Sequence, residues 1–397
     1  MEFRSSKQKK RRGDVVVRNG YYTFSKEYPA GQLERPSRAV RHRNRKRSVR
    51  RFLLVVLLFG VIVCGTFFAV DFGLKISKKA PDPAAIAVGQ PTLLKDDGIR
   101  ALVMPTETVR SKKELRAFIK KLRRRDCNTV VIDFKSSDGR LLYSSNEQLA
   151  LRGKANTYNN VTVRDALKQF ASANIHVLAR VYCFEDPLIA ALDESLAVKY
   201  SDTDVLWLDK HEQDGGKPWL NPYSATARSY LKAVIREVHA FGVSGILLSS
   251  FSFPGGENAN NASFPGENES RATRNTLLKK YITTLKGNLS EDCCLLVETE
   301  ADALLNGDTA RYDGRLTPND ADGIVVNTAV RPPETVPDKK TKFVSILAYL
   351  SSVQAKLDSE KMCVLLLEEE EVSTAYLRAL RKNGFANQIR SDESGTY

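Results

Sequence analysis

The chain has 397 residues, with 61 Lys/Arg against 47 Asp/Glu, a formal net charge of +14 and six cysteines. Residues 1–51 hold 17 Lys/Arg and 4 Asp/Glu (+13), which leaves 44 against 43 (+1) for residues 52–397. The basic surplus therefore belongs to a tail, where topology accounts for it and nucleic-acid binding is the runner-up reading; the length allows one large domain or two ordinary ones and excludes a fold that needs disulfide staples.

In chain order, residues 1–51 read as a basic, largely disordered tail. Seven of its basic residues fall between Arg41 and Arg51. Residues 52–70, FLLVVLLFGVIVCGTFFAV, follow without a charge. Nineteen residues at helical rise span about 28 Å, close to the hydrocarbon thickness of a bilayer. The sequence predicts one transmembrane helix there. A cleaved signal peptide fits poorly, because some 50 residues precede the apolar run and no small-x-small site follows it. Basic residues before the helix place the N-terminus in the cytoplasm and the bulk of the chain outside the cell membrane. They also suit anionic lipid headgroups. Residues 71–98, with Lys, Ala, two Pro and Gly and no periodicity, form an extracytoplasmic linker.

From residue 99 onward, short β-rich runs alternate with helical patterns. The strands are predicted at 99–104, 128–135, 175–184, 245–253, 293–299, 323–328 and 361–368, with a weak eighth at 386–390. Helices are predicted at 111–125, 162–173, 224–241, 271–287, 341–358 and 372–383. Ser111 and Ser224 suit N-caps, and Gly242 suits the position after a helix end. Such alternation means a parallel α/β domain, either a TIM-type (β/α)8 barrel or a doubly wound sheet. No glycine-rich phosphate loop follows any strand, which removes the usual nucleotide-binding sheet, and the strand count favours a barrel over 99–390. Residues 254–270 read as an exposed loop insertion and 391–397 as a tail. No cysteine has CxxC spacing, so neither a zinc site nor another metal or cofactor is expected. The five cysteines after Cys64 suit buried free thiols.

In a barrel, functional residues sit at strand C-termini and in the loops that follow. Asp133 and Lys135 share a strand face, as an ion pair in the barrel mouth or as a structural pair. Asp138 marks a turn. Arg180, Tyr182 and Phe184 share a face on the next strand, where Arg180 can satisfy Asp133. Glu185 is a possible acid/base, whereas Asp186 suits a helix cap. Trp207 and Trp219 lie on one long loop, as a flat ligand face or as a lid over their own loop. Glu298 and Glu300 share a face, Asn327 ends an apolar run, and Glu368 opens an acidic block. Any pair among Glu298, Glu300 and Glu368 is a candidate hydrolytic carboxylate pair.

Four ordered motifs, VIDFKSSDGRLLY, ARVYCFEDPLIA, WLNPYS and GILLSSFSFP, together resemble a bacterial family of glycoside hydrolase-like TIM-barrel domains. The resemblance spans roughly 99–256. It implies that Asp133, Lys135, Asp138, Arg180, Asp186, Trp219 and Pro222 match the family pattern. It also implies that Ser249 stands where the family carries its candidate catalytic Asp, Ser252 where it carries an Arg, and Asn221 where it carries a loop Asp. Three readings follow. The domain binds glycan or cell-wall polymer without ordinary glycosidase activity; or it is a divergent active hydrolase using relocated acids among Asp133, Glu298 and Glu368; or it is an ectodomain for protein partners. The residues that would touch a sugar are Lys135, Asp138, Arg180, Tyr182, Glu185, Trp207, Trp219, Asn221, Ser249, Ser252 and Asn327.

Overall fold

A computed structural model describes residues 16–18, 21–23, 98–256, 258–316, 320–327, 339–357, 361–368 and 374–391. The expected span at 52–70, most of the tail before it, the linker up to residue 97 and residues 392–397 lie outside the described residues. No helix among the described residues is long and apolar enough to cross a membrane. Two compact units divide the chain, Met1–Ala80 and Pro81–Tyr397. In the first, Val16–Arg18 pairs antiparallel with Tyr21–Thr23.

The second unit is a closed barrel of eight parallel strands. They are β1 (Arg100–Val103), β2 (Thr129–Lys135), β3 (His176–Tyr182) and β4 (Gly245–Ser249). β5 (Cys294–Glu300), β6 (Gly323–Asn327), β7 (Met362–Glu368) and β8 (Asn387–Ser391) complete it. Each strand pairs with its sequence neighbours, and β8 closes on β1 with Ile389 opposite Ala101. Closure excludes the doubly wound alternative, and the weak eighth strand of the sequence is a full member of the ladder. These strands are apolar on both faces because helices cover the outside while side chains fill the inside.

The crossover helices are α1 (Lys112–Arg124), α2 (Asn160–Ser172), α3 (Ala225–His239) and α4 (Arg274–Lys286). α5 (Ala301–Leu305), α6 (Lys339–Gln354) and α7 (Thr374–Lys382) follow. α1 shows why the pattern works. Its buried residues Leu115, Phe118, Ile119 and Leu122 recur at helical spacing, and each contributes about 1.5–3 kcal/mol by leaving water. Ser111 Oγ accepts from the Glu114 amide at 3.2 Å and caps it. Ser224 caps α3 in the same way, and Gly242 takes φ +76° just past that helix.

Inside the barrel, Val131, Leu178, Leu247, Leu296 and Val325 belong to one apolar layer. A larger apolar layer lies between strands and helices. Cys127, Cys183, Cys293, Cys294 and Cys363 are free and buried, as expected of thiols in apolar runs. The 254–270 insertion carries more structure than an exposed loop. Phe264 is buried edge-on against Phe253, with ring centroids 5.0 Å apart, and Ala262–Ser263 pairs with Lys199–Tyr200.

Candidate functional site

Successive inward side chains on a strand are two residues apart. One step toward the C-terminal end from the apolar layer, Val131 gives way to Asp133, Leu178 to Arg180, Leu247 to Ser249, Leu296 to Glu298 and Val325 to Asn327. The strands thus deliver a polar layer at the barrel mouth. Asp133 and Arg180 are register partners. Arg180 donates from Nε to Asp133 Oδ1 at 2.5 Å and from Nη2 to Oδ2 at 2.9 Å, a two-pronged charge-assisted contact. Its guanidinium also lies over the Tyr182 ring, 5.1 Å from the centroid.

Leu248 pairs with Val297, so the next residues, Ser249 and Glu298, fall side by side. The Ser249 hydroxyl donates to Glu298 Oε2. Burial raises the Glu298 pKa above the ordinary carboxylate value; Arg180 and the Ser249 hydrogen bond pull it down, and Asp133 and Glu185 push it further up.

Above this layer opens a cleft of about 330 Å³. Glu185, Trp219, Ser250, Ser252, Glu298, Glu300, Arg311, Tyr312 and Asn327 are among its walls. Glu185 accepts from Ser250 Oγ at 2.7 Å and lies 3.7 Å from Lys217 Nζ. Burial raises its pKa as well, against the pull of Ser250 and Lys217. Ser250 takes φ +47°, a left-handed conformation that is uncommon outside glycine. That turn aims its hydroxyl at Glu185. Glu300 pairs with Arg311 at 3.2 Å, and Arg311 also holds Asp308 at 3.1 Å. The Trp219 indole donates to Asp209 Oδ2 at 3.4 Å.

Several expected contact residues stand elsewhere. Lys135 does not share the mouth with Asp133, because a β-bulge between them shifts the register. Its ammonium is fully buried, 2.7 Å from the Tyr182 carbonyl and 3.0 Å from Asp186 Oδ2. Asp186 also caps the following helix through the Ile189 amide at 3.0 Å. Trp207 is wholly buried and donates to the Asn258 carbonyl at 2.9 Å, so it is a lid over its own loop rather than a ligand face. Asn221 is buried and spends its side chain on the Pro265 carbonyl and the Tyr223 amide. Asp138 is an exposed turn residue bonded to Ser136 and Arg140, off the cleft wall. Tyr182 backs Arg180 and is buried. Glu368 ends β7 opposite Ser391, and its side chain lies outside the described residues.

Sequence reasoning missed Arg311, Tyr312 and Ser250. Arg311 and Tyr312 lie past β5 in the short helix Thr309–Tyr312, where no local pattern pointed to the cleft. Ser250 was visible only as one serine among three. Among the described residues, no group of His, Cys, Asp and Glu could hold a metal ion.

Residues 101–298 match the model of a family described as "putative glycosyl hydrolase domain". No curated protein matches the chain. Of solved structures, a hypothetical protein from Ruminiclostridium thermocellum is similar at 26% identity over 49% of this chain and 96% of that one, with a TM-score of 0.43. An exo β-N-acetylglucosaminidase from Vibrio harveyi is similar at 13% identity over 68% of this chain and 41% of that one, TM-score 0.43. The glycoside hydrolase domain of PelA from Pseudomonas aeruginosa is similar at 11% identity over 74% and 94%, TM-score 0.41. The family match ends on Glu298, the acid at the centre of the polar layer, and together with the closed eight-strand barrel it marks this chain as carrying a glycoside hydrolase-like TIM barrel.

Proposed function

We infer that this protein is a membrane-tethered, extracytoplasmic barrel that binds glycan or cell-wall polymer in its mouth without ordinary glycosidase turnover. The observation that carries this reading is the Ser249 hydroxyl bonded to Glu298, at the place where the resemblance implies an acid. Glycoside hydrolysis needs two carboxyl groups, one to protonate the leaving oxygen and one to attack or to activate water. A serine holds no acidic proton and makes no carboxylate nucleophile. Loss of one essential carboxyl removes on the order of 4–8 kcal/mol of transition-state stabilisation. The binding half of the reading is supported by Trp219 in the wall of a cleft otherwise rich in hydrogen-bonding groups. The tether rests on the charge-free run at 52–70, with the basic tail against anionic headgroups inside the cell.

A second reading, a divergent active hydrolase, has its own support. Glu185 and Glu298 line one cleft, and burial raises the pKa of both. One experiment separates the two. The purified chain is presented to a broad glycan array and to chromogenic glycosides and wall polymer. Binding that Trp219→Ala weakens, with no turnover, supports the first reading. Turnover abolished by Glu298→Gln and by Glu185→Gln separately supports the second. Absence of binding to any glycan overturns both.

A further inference from the structure

The near-zero net charge of residues 52–397 conceals a strong local asymmetry. Residues 110–126 hold nine Lys/Arg and two Asp/Glu (+7), which leaves −6 for the rest of that +1 region. Most of this surplus is on α1. Its apolar residues face the barrel, so the basic ones are driven outward. Lys113, Arg116, Lys120 and Arg124 recur at intervals of three and four and are all exposed. They form a continuous cationic stripe along about 16 Å of helix. α7 adds exposed Arg378 and Lys382 on the neighbouring flank.

The stripe is also placed beside the point where the chain enters the barrel. The Asn128 side chain donates to the Gly98 carbonyl at 3.0 Å, and Arg100 Nε donates to the Asp126 carbonyl at 3.1 Å. The C-terminal end of α1 and the incoming chain therefore share the N-terminal end of the barrel. The cleft opens at the opposite end.

We propose that the α1 stripe docks on the anionic headgroups of the bilayer that holds the chain, so that the barrel rests on this flank. The inference rests on the tether at 52–70, which keeps the stripe within a linker's reach of a lipid surface. Charge complementarity selects the occupant. An array of cations on a rigid helix fits a surface of phosphates.

The test uses the full chain in lipid nanodiscs, with a water-soluble amine-acylating reagent and mass spectrometry to read each lysine. In discs containing phosphatidylglycerol, Lys113 and Lys120 should react several-fold more slowly than in phosphatidylcholine discs. About 0.5 M salt should restore them, since the Debye length then falls to a few ångströms. Exposed Lys280 on α4 should be unchanged. The substitutions Arg116→Glu and Arg124→Glu together should restore labelling of Lys120 in the anionic discs. Equal labelling of Lys113 and Lys120 in both lipids overturns the proposal, and so does protection by soluble polyphosphate without protection by lipid. If the chain does not co-purify with discs, the tether is wrong and the stripe is read on the same chain with phosphatidylglycerol vesicles. There, protection of Lys113 and Lys120 supports the docking and its absence overturns it.

Discussion

Arg180→Met should expose the organising contact of the barrel mouth. The Arg180 side chain is 3% exposed and holds both oxygens of Asp133, whose side chain is 18% exposed. Methionine keeps much of the volume and removes the charge. Asp133 would then be a mostly buried carboxylate without its cation, beside Glu298, which would lose the pull of Arg180 as well. Breaking a buried pair from one side costs about 3–5 kcal/mol, and the partial exposure of Asp133 argues for about 3. For a barrel of roughly 290 residues, about 3 kcal/mol corresponds to about a 5 °C fall in Tm. Tryptophan fluorescence melts report it, since Trp207 and Trp219 both belong to the second unit. Asp133→Asn should cost less, because Arg180 keeps Glu298 as a nearby acid. The double variant should lose clearly less than the sum of the two. A Tm for Arg180→Met within 1 °C of the parent, or strict additivity, would refute the claim that this pair organises the mouth.

Other predictions follow from the same geometry. The Glu298 pKa is raised in the folded protein above its ordinary 4.5; the native state therefore keeps a proton that the unfolded chain has released. Stability is full below the unfolded pKa and falls as pH rises through the folded one. Glu298→Gln should melt progressively higher than the parent as pH is raised from 4 to 8, and a pH-independent difference would contradict the burial argument. Trp207→Phe should destabilise by about 1–3 kcal/mol by removing the indole hydrogen bond to the Asn258 carbonyl and leaving a void at a wholly buried position, with glycan affinity unchanged, whereas Trp219→Ala should lower affinity in a binding titration. Gly139→Ala should cost about 2 kcal/mol or more in urea unfolding, because φ is +85° and a Cβ would stand 2.3 Å from Asp186 Oδ1. Ser249→Asp alone should yield no measurable glycosidase activity on chromogenic substrates, because Ser252 and Asn221 have changed too.

The strands and most helices were legible because their pattern records burial directly. Val130, Val131 and Ile132 are apolar in succession because both faces of β2 are covered. The polar layer was half legible. Glu298 could be placed at a strand end, and Arg180 beside Asp133, from period-two alternation alone. Lys135 was misplaced because the bulge after Asp133 breaks that alternation, and no residue type in VIDFKSS announces it. The two tryptophans were indistinguishable in sequence. The Asn258 carbonyl of the 254–270 insertion takes the Trp207 indole, whereas Trp219 lies in the cleft wall with its indole on Asp209. Arg311 was hidden because its contacts with Glu300 and the cleft arise from tertiary placement, which local composition does not encode.

The barrel mouth also shows which of its polar residues the fold itself requires. Asp133, Arg180, Lys135 and Asp186 satisfy one another in two separate buried pairs, and neither pair contains Ser249. Removing a partner from either pair leaves a mostly or wholly buried charge without its counter-ion, which is among the costliest single changes available to a fold. Ser249 is different. At that position an aspartate would face Glu298 directly, two carboxyls side by side with Arg180 already committed to Asp133. A serine relieves that repulsion and gives Glu298 a donor. An aspartate at 249 would therefore be destabilising for the barrel, whereas Asp133, Arg180, Lys135 and Asp186 are held by the structure itself. Those four residues thus speak to packing, and the chemistry open to the cleft rests on Ser249, Glu298 and Glu185.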